Sequence, residues 1–328
     1  MLGRREFVAS VGGMAAWPLI ARAQEPGRVR RVGAMIFGTP NDPIAHALLA
    51  ALRDGLAKLN WIEGRNLRID FRISGDAETI RASAAELVAL GPDVIVTRTT
   101  VVTKALQAQS TTIPIVFLGA GDPIASGLVA SLARPGGNIT GITDTYFTIG
   151  GKWLEMLKTA VPQVTRFGIV FNPDLTSPTY FPSIEAAAAQ YDAEAVMLPV
   201  RSEDDIERAL NRFAGEPNGG LVILPPAPVR AARELIRRIA LEHRLPSIYQ
   251  NKFYAIEGAM MSYGPDSDDL FRRGGPAYVE RILRGMKPAA MPVQFATKFE
   301  LAFNLQTIKA LGLEIPPELF SRADAKID

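Results

Sequence analysis

Short apolar runs rich in β-branched residues alternate with amphipathic helical patterns along nearly the whole chain, and this alternation is the strongest constraint on its fold. In the first half, the pattern predicts strands at residues 31–37, 67–73, 94–97, 113–118 and 139–143. It predicts helices between them at residues 44–59, 77–90, 101–109 and 126–133. Such alternation is typical of an α/β protein whose parallel sheets are covered by helices on both faces.

The same rhythm recurs in the second half of the chain. Strands are predicted at residues 167–171, 195–198, 220–224, 247–249, 293–297 and 299–303, and helices at residues 152–160, 182–191, 203–213, 229–243, 266–284 and 305–311. The repeat predicts two similar lobes with a cleft and a hinge between them. We expect an N-terminal lobe of residues 30–144, completed by part of 266–328, and a C-terminal lobe of residues 145–265, with hinge crossovers near 144 and 266.

The first 23 residues have the parts of an export signal. Arg4 and Arg5 precede an apolar run at residues 8–20, and residues 21–23 read Ala-Arg-Ala, a small-residue cleavage site. The run is shorter than the roughly 20 apolar residues that a membrane span needs. The paired arginines favour the twin-arginine export route, and a Sec signal that carries two arginines is the alternative. We therefore expect a signal peptide at 1–23 and a soluble periplasmic protein after its cleavage.

Charge and cysteine content exclude several classes of protein. The chain has a formal net charge of +2, and loss of Arg4, Arg5, Arg22 and Glu6 with the signal brings it to zero. A neutral chain with interspersed charges lacks the basic surface that nucleic acids or anionic membranes require. The absence of cysteine excludes thiol chemistry, thiolate metal sites and a lipid-modified N-terminal cysteine. We expect no nucleic-acid partner and a monomer.

Motifs for catalysis or cofactor binding are missing. The two histidines, His46 and His243, fall within predicted helices, where surface or core roles are common. The run Gly119-x-Gly121 begins like a dinucleotide fingerprint, but Ile124 occupies the position of the third glycine. The sequence therefore predicts no cofactor, no metal site and no catalytic residue.

Polar residues instead follow the carboxyl ends of the predicted strands in both halves. Ligands of open parallel sheets bind at that edge, and the free N–H groups of helix N-termini there suit a carboxylate. The predicted ligand-binding residues are Thr39, Thr97, Thr99, Thr100, Gly119, Asp122, Asp144, Tyr146, Asn172, Tyr249 and Asn251.

Several of these residues have two interpretations. Asp122 is suited to pair with a ligand ammonium or hydroxyl group, and the alternative is that Asp122 and Thr99 only cap helices. Tyr146 and Tyr249 are suited to stack on an apolar part of a ligand, and ordinary packing is the alternative for each.

Several stretches, distributed from one end of the chain to the other, together resemble one protein family. They are RREF at 4–7, LNWIEGRNLRID at 59–70, AAELVALGPDVIV at 84–96, IPIVFLGAGDPIASGLVASLARPGGNITG at 113–141, GGKWLEMLK at 150–158, FNPD at 171–174, MSYGPDSDDLFRR at 261–273 and TKFELAFNLQTIKALGLEIPP at 297–317. In them the chain resembles the Gram-negative ABC-transporter substrate-binding proteins related to the tryptophan-uptake binding protein. The resemblance implies a type I periplasmic binding fold, in which two Rossmann-like lobes with parallel sheets are hinged around a central cleft. It also implies delivery of the ligand to an ABC permease in the inner membrane.

The resemblance does not extend to every residue of the expected site. Relatives often have Ser-Gly-Thr-Pro after the third strand, whereas this chain has Thr97-Arg98-Thr99-Thr100. Arg98 either adds a contact to a ligand carboxylate or blocks the pose of an amino acid.

The predicted function is therefore the solute-binding component of an ABC importer. Its ligand would be a small carboxylate or an amino-acid-like solute, with aromatic ones among the candidates, captured by hinge closure and released unchanged. One alternative is a secreted α/β hydrolase or isomerase that acts on a small carboxylate through Asp122, Asp144 or His46. Another is a transcription regulator on the same scaffold, which would need a helix-turn-helix where the signal stands.

Overall fold

The structure is a computed structural model that describes residues 28–144, 146, 148–174, 176–225 and 232–328. The predicted signal peptide lies outside the described residues. The first half forms strands β1 (Arg30–Phe37), β2 (Leu67–Ser74), β3 (Val94–Thr97), β4 (Ile115–Leu118) and β5 (Ile139–Thr143). Between them lie helices α1 (Pro43–Lys58), α2 (Ala77–Ala89) and α3 (Thr100–Gln109).

The second half repeats the alternation of strands and helices. Its strands are β6 (Arg166–Phe171), β7 (Glu194–Pro199), β8 (Gly219–Ile223), β9 (Ser247–Tyr249) and β10 (Met261–Pro265). Its helices are α4 (Ile149–Ala160), α5 (Phe181–Gln190), α6 (Glu203–Ala214), α7 (Arg233–Glu242) and α8 (Lys252–Ile256), with a 3-10 turn at Pro178–Tyr180. The start of the predicted helix at 229–243 lies outside the described residues.

The last part of the chain supplies further elements to both halves. It comprises α9 (Ser267–Asp269), a π-helical turn (Leu270–Gly274), α10 (Gly275–Leu283), a 3-10 turn (Pro288–Ala290), β11 (Gln294–Phe295), β12 (Phe299–Asn304), α11 (Leu305–Leu311), α12 (Pro317–Ser321) and β13 (Ala325–Ile327). Sequence periodicity predicts neither α12 nor β13, because both are short.

Helix α1 shows how the sequence determines these elements. The Asp42 side chain accepts hydrogen bonds from the first backbone N–H groups of the helix, and Pro43 occupies its first turn, where no N–H is needed. Leu48, Leu52 and Leu56 then recur at helical spacing on one face and are buried. They pack on strands β1 to β3, so α1 covers one face of the sheet while α2 and α3 cover the other.

Two sheets have the same core strand order. The first runs β11-β5-β4-β3-β1-β2 and is parallel throughout. The second runs β13-β12-β10-β9-β8-β6-β7, and β12 pairs with β10 in the antiparallel direction. The order β2-β1-β3-β4-β5 of the first sheet thus recurs as β7-β6-β8-β9-β10 in the second. This confirms the expected α/β class with parallel sheets, except for β12. We call each sheet with its helices the first lobe and the second lobe.

The chain passes between the lobes at several points. It leaves the first sheet after β5 and returns after β10, where α10 packs on β3, β4 and β5. Strand β11 then extends the first sheet beyond β5, and the chain crosses again to place β12 in the second sheet.

Two predicted helices differ from the structure. The helix predicted at 126–133 is a series of turns, because Gly127 has a left-handed φ of +68° and the Ala130 N–H bonds to the Pro135 carbonyl instead of continuing a helix. The helix predicted at 266–284 contains the π-helical turn, because Pro276 lacks the N–H that would bond to the Arg272 carbonyl.

Candidate functional site

The carboxyl ends of β1 and β3 form the point at which the first sheet reverses its strand order. Helix α1 follows β1 on one face, and α2 and α3 lie on the other face. Loops that leave adjacent strands toward opposite faces open a crevice between them, which is where ligands of such sheets bind. The loops at this edge contain the predicted site residues of the first lobe.

Thr97 and Thr99 have buried hydroxyl groups without a hydrogen-bond partner among the described residues. Thr97 ends β3 and lies in register between Met35 of β1 and Phe117 of β4, so apolar side chains flank it. The side chain of Thr99 makes no cap to α3, so the interpretation of Thr99 as a helix cap is wrong. An unpaired buried hydroxyl costs about 1–3 kcal/mol. Trp61 Nε1 and Ser262 Oγ are also unpaired among the described residues, but only Thr97 and Thr99 lie together, at the carboxyl end of β3, which makes this edge the candidate site.

The backbone of Thr99 is also strained. Its φ of +74° with ψ of 149° lies in a region that β-branched residues rarely adopt. Such strain costs of the order of 1–3 kcal/mol and is concentrated at ligand sites.

Replacing Thr97 with valine is expected to stabilise the ligand-free protein by about 1 kcal/mol, because the unpaired hydroxyl is removed while the shape is kept. Urea unfolding measures the change. Thr140→Val is the matched control, since the Thr140 hydroxyl is equally buried but donates to the Met291 carbonyl at 2.6 Å. That control should lose stability, and a loss in Thr97→Val would show that its hydroxyl is satisfied.

Thr100, Gly119 and Asp144 come together at the same edge. The Thr100 hydroxyl donates to the Gly121 carbonyl at 3.1 Å, which ties the start of α3 to the loop after β4. Gly119 has a φ of +84°, and a Cβ there would come within 2.9 Å of the Asp144 Oδ2. Glycine therefore lets the loop after β4 pass directly beside this carboxylate.

Asp122 caps a turn. Its Oδ1 accepts a hydrogen bond from the Ala125 N–H at 3.0 Å, and its carbonyl accepts from the backbone N–H of Ser126 at the same distance. This confirms the capping interpretation of Asp122, although the capped segment is a turn rather than a helix. A contact between Asp122 and a ligand stays a prediction.

Tyr146 lies against the crossing between β11 and β12. Its hydroxyl donates to the Ala296 carbonyl, and its ring centroid lies 4.9 Å from that of Phe295 and 5.3 Å from that of Phe299. Burial raises the pKa of the Tyr146 hydroxyl, which stays neutral. Tyr146 therefore joins two of the connections between the lobes.

The remaining predicted residues are spread over both lobes. Thr39 is exposed, and its carbonyl accepts from the Asp42 N–H at 2.9 Å. Asn172 is buried after β6, and its Oδ1 accepts from the Asp174 N–H at 2.9 Å, which shapes the turn. Tyr249 is buried in the core of the second lobe and stacks on Tyr254 at 4.9 Å between ring centroids. Burial raises the pKa of Tyr249, and packing accounts for its position.

Asn251 and Arg98 meet at one serine. The Asn251 Nδ2 donates to the Ser267 Oγ at 3.0 Å, and the Arg98 Nη2 donates to the same oxygen at 3.1 Å. The Arg98 guanidinium carbon also lies 5.6 Å from the centroid of the Phe253 ring. Arg98 starts in the first lobe, so this cluster connects the β3–α3 loop to α8 and α9. The sequence pointed to Arg98 only as a residue that adds a contact to a ligand carboxylate or blocks the pose of an amino acid, and it gave no role to Ser267.

The hydrogen bonds of the two histidines involve none of the predicted site residues. A His46 ring nitrogen lies 2.9 Å from the Pro40 carbonyl, and a His243 ring nitrogen lies 2.9 Å from the Asn211 Oδ1, both at the surface. Within the described ranges, no group of three or more histidine or acidic side chains is arranged to hold a metal ion. No helix of the described residues is long and apolar enough to cross a membrane.

Comparisons with known proteins agree with this architecture. The profile of a family described as ABC transporter substrate binding protein matches residues 41–327. A relative described as a tyrosine-binding protein, from Clostridioides difficile (strain R20291), is 26% identical over 283 residues, which is 83% of this chain and 79% of the relative.

Solved structures have the same fold. A conserved domain protein from Vibrio cholerae is 28% identical with a TM-score of 0.78, over 91% of this chain and 100% of that chain. An ABC domain from Streptococcus pneumonia, in complex with L-Trp, is 22% identical with a TM-score of 0.78, over 91% of this chain and 99% of the other. A ligand-free, open substrate-binding protein from Clostridium difficile is 23% identical with a TM-score of 0.71, over 92% and 100%.

Proposed function

We propose, from the premise that this chain belongs to the ABC transporter substrate-binding protein family, that it is the solute-binding component of an ABC importer. Its ligand is a small carboxylate or an amino-acid-like solute, with aromatic amino acids the first candidates. The single observation that carries the proposal is the pair of buried, unpaired hydroxyls of Thr97 and Thr99 at the carboxyl edge of the first sheet. The protein binds its substrate and is not an enzyme.

The ligand is held between the two lobes. The first lobe offers the threonine hydroxyls and the free N–H groups at the start of the ten-residue helix α3, which favour a carboxylate. The second lobe offers polar groups after β6 and β9, among them Asn172 and Asn251. The names of two relatives, one tyrosine-binding and one solved with L-Trp, support a test of aromatic amino acids first.

Capture proceeds by hinge closure. The chain connects the lobes after β5, after β10 and between β11 and β12, and a rotation about these connections brings the two edges together. The domains that move are residues 30–144 completed by 267–295, and residues 145–265 completed by 299–328. A ligand that contacts both lobes binds the closed state more tightly and shifts the population toward it.

Export and delivery complete the proposed role. The signal-like residues 1–23, with Arg4 and Arg5, direct a monomer to the periplasm by the twin-arginine route, and the ligand passes to a permease in the inner membrane. N-terminal sequencing of the periplasmic protein tests the cleavage, because cleavage after Ala23 leaves Gln24 as the first residue. Replacing Arg4 and Arg5 with lysine tests the route, because export by the twin-arginine route should be lost while export by the Sec route should persist.

The binding proposal is tested by calorimetry of the mature protein against L-tyrosine, L-tryptophan, L-phenylalanine, L-alanine and phenylacetate, with X-ray scattering on the same samples. We expect saturable binding of at least one solute and a smaller radius of gyration in its presence. The solute should be recovered unchanged. Binding without compaction would contradict hinge closure, and failure of every probe to bind would contradict the proposed ligand class.

A further inference from the structure

The connection between β11 and β12 changes its hydrogen-bond partners within three residues. The Ala296 N–H donates to the Thr143 carbonyl at 3.0 Å, which extends the pairing of β11 with β5 in the first sheet. The Lys298 carbonyl accepts from the Asp266 N–H at 3.0 Å, which extends the pairing of β12 with β10 in the second sheet. Thr297 lies between these two residues and belongs to neither pairing.

Thr297 is held by no hydrogen bond. It is exposed, and neither its backbone nor its hydroxyl bonds to any residue that the structure describes. Lys298, by contrast, is bound twice to the residue opposite, because its Nζ also lies 2.8 Å from the Oδ2 of Asp266, which is 7% exposed. Lys298 therefore moves with the second lobe, and a rotation between the lobes is absorbed at Thr297.

The connection after β10 changes lobes at the same level. The register of β10 with β12, continued by two residues, places Ser267 opposite Thr297. The Asp266 N–H still pairs within the second sheet, whereas its Oδ1 accepts from the Asp269 N–H at 3.1 Å and caps α9. The chain then enters the core of the first lobe at Phe271. This connection therefore passes from one lobe to the other between Asp266 and Ser267.

The connection after β5 agrees with the other two. The Thr143 carbonyl is bound within the first sheet, and the Tyr146 carbonyl accepts from the Ile149 N–H at 3.1 Å at the start of α4 in the second lobe. The change of lobe thus falls between Thr143 and Tyr146. Since Thr143 pairs with Phe295, this change lies next to Thr297.

Tyr146 contacts both lobes close to this level. Its hydroxyl donates to the Ala296 carbonyl. Its ring centroid lies 4.9 Å from that of Phe295, on the side of the first lobe, and 5.3 Å from that of Phe299, on the side of the second. A contact beside a rotation axis is displaced little when the lobes rotate, so these contacts hold the connections together during the rotation.

We propose that the lobes rotate about an axis through Thr297 and the junction of Asp266 with Ser267, and that Thr297 is a positioning residue for ligand capture. The proposal rests on the proposed function and deepens it, because it identifies the residue whose backbone angles change during hinge closure. Thr297 acts without touching the ligand. We call it the pivot.

The test measures the distance between the lobes directly. The chain has no cysteine, so Ala85→Cys on α2 and Ala186→Cys on α5 introduce its only two thiols. Both alanines are exposed. Helix α2 packs on β2 and α5 on β7, the strands at the sheet edges opposite the connections, where displacement is largest.

Nitroxide labels on the two cysteines report the distribution of distances between the lobes by pulsed electron paramagnetic resonance. The distribution is measured for the mature protein alone and with each probe: L-tyrosine, L-tryptophan, L-phenylalanine, L-alanine and phenylacetate. We expect the wild-type distribution to move to a shorter distance with at least one probe.

Thr297→Pro and Thr297→Gly change the freedom of the pivot in opposite directions. Proline fixes φ and restricts the residue before it, and it removes an N–H that has no partner among the described residues. We expect Thr297→Pro to narrow the distribution without ligand and to reduce the ligand-induced shift to less than about half of the wild-type value. Thr297→Gly should broaden the distribution without ligand, because glycine adopts more backbone conformations.

Thr111→Pro is the matched control. Thr111 is also exposed, and its N–H has no partner in the part of the chain that the structure describes. The preceding Ser110 is extended, with φ of −152° and ψ of 133°, as a residue before proline prefers. Thr111 lies between α3 and β4, away from the connections, so this variant should keep the wild-type distribution and shift. Thermal melts show whether each variant is folded.

The pivot is overturned if the wild-type protein shifts with a ligand and both Thr297 variants keep its distribution and its shift. Hinge closure would then stand. Equal effects of Thr297→Pro and Thr111→Pro would also overturn the pivot, because they would show a general effect of proline. If Thr297→Pro does not fold, Thr297→Gly decides: a broader distribution supports the pivot, and the wild-type width overturns it.

Failure of the proposed function has a different signature. If a probe binds the wild-type protein without any shift, hinge closure fails and the pivot fails with it. If no probe binds, the proposed ligand class fails, and the widths of the ligand-free variants still test the pivot.

Discussion

Replacing Lys252 with methionine is expected to cost about 3 kcal/mol of unfolding free energy at neutral pH. Lys252 opens α8, and its Nζ lies 2.6 Å from the Oε2 of Glu300 on β12. Glu300 is 6% exposed, so the substitution leaves a buried carboxylate without its counter-charge. Urea unfolding at pH 7 measures the loss.

The loss of unfolding free energy in Lys252→Met should depend on pH. Burial raises the pKa of the Glu300 carboxyl above its ordinary value of 4.5, and Lys252 opposes this shift. For a raised pKa, the stabilisation from proton binding is complete below the unfolded pKa and is lost as the pH rises through the folded pKa. Without Lys252 the folded pKa rises further, so the penalty should be small near pH 4 and should grow toward pH 7.

Lys152→Met is the matched control for this experiment. Lys152 pairs with Glu155, and the two side chains are 35% and 39% exposed. Surface pairs of this kind contribute about 0.5 kcal/mol or less. Equal penalties at pH 4 and pH 7 for Lys252→Met, or a penalty no larger than that of the control, would refute the buried pair.

Gly55→Ala is expected to destabilise the protein by about 2–3 kcal/mol, although alanine is the better helix former by about 1 kcal/mol. Gly55 lies on the buried face of α1, and a Cβ there would come within 2.1 Å of the Arg272 carbonyl oxygen and 2.6 Å of the Pro276 Cγ. A backbone carbonyl cannot rotate away as a flexible side chain can, so α1 must separate from the π-helical turn. Thermal and urea unfolding report the change.

Gly137→Ala provides the comparison, because a Cβ at Gly137 meets nothing within 4 Å. That variant should stay within about 0.5 kcal/mol of the wild type. A Gly55→Ala protein as stable as the wild type would show that α1 is not in close contact with the π-helical turn at Arg272 and with Pro276.

The strands of the parallel sheets could be predicted because each one has its own short apolar run in the sequence. β-Branched runs such as 94–97 stand out from the helical patterns on either side, and the structure places β3 at Val94–Thr97. The direction in which a strand pairs with its neighbour, and the contacts between residues far apart in the sequence, have no such local pattern. The antiparallel pairing of β12 with β10 follows from the crossing between β11 and β12, which periodicity does not show.

The candidate site was predicted only in part, for related reasons. Side chains in a strand alternate between the two faces of the sheet. Tyr249 ends β9 on the face that carries the core, while Asn251, two residues later, leaves the strand and reaches the cluster with Ser267. The contact between Arg98 and Ser267 joins residues 169 positions apart, and no local pattern predicts such a contact.

The return of the chain to the first sheet has a consequence for its synthesis. Residues Val96, Val116 and Ile142 line a sheet face that Phe271 and Val279 cover, and β11 at 294–295 pairs with β5. When synthesis has reached residue 144, the first sheet therefore has an apolar face that Phe271 and Val279 do not yet cover. Its edge at β5 is not yet paired with β11. Such surfaces favour aggregation, so the nascent chain has to stay unfolded or be shielded until almost nine-tenths of it has emerged.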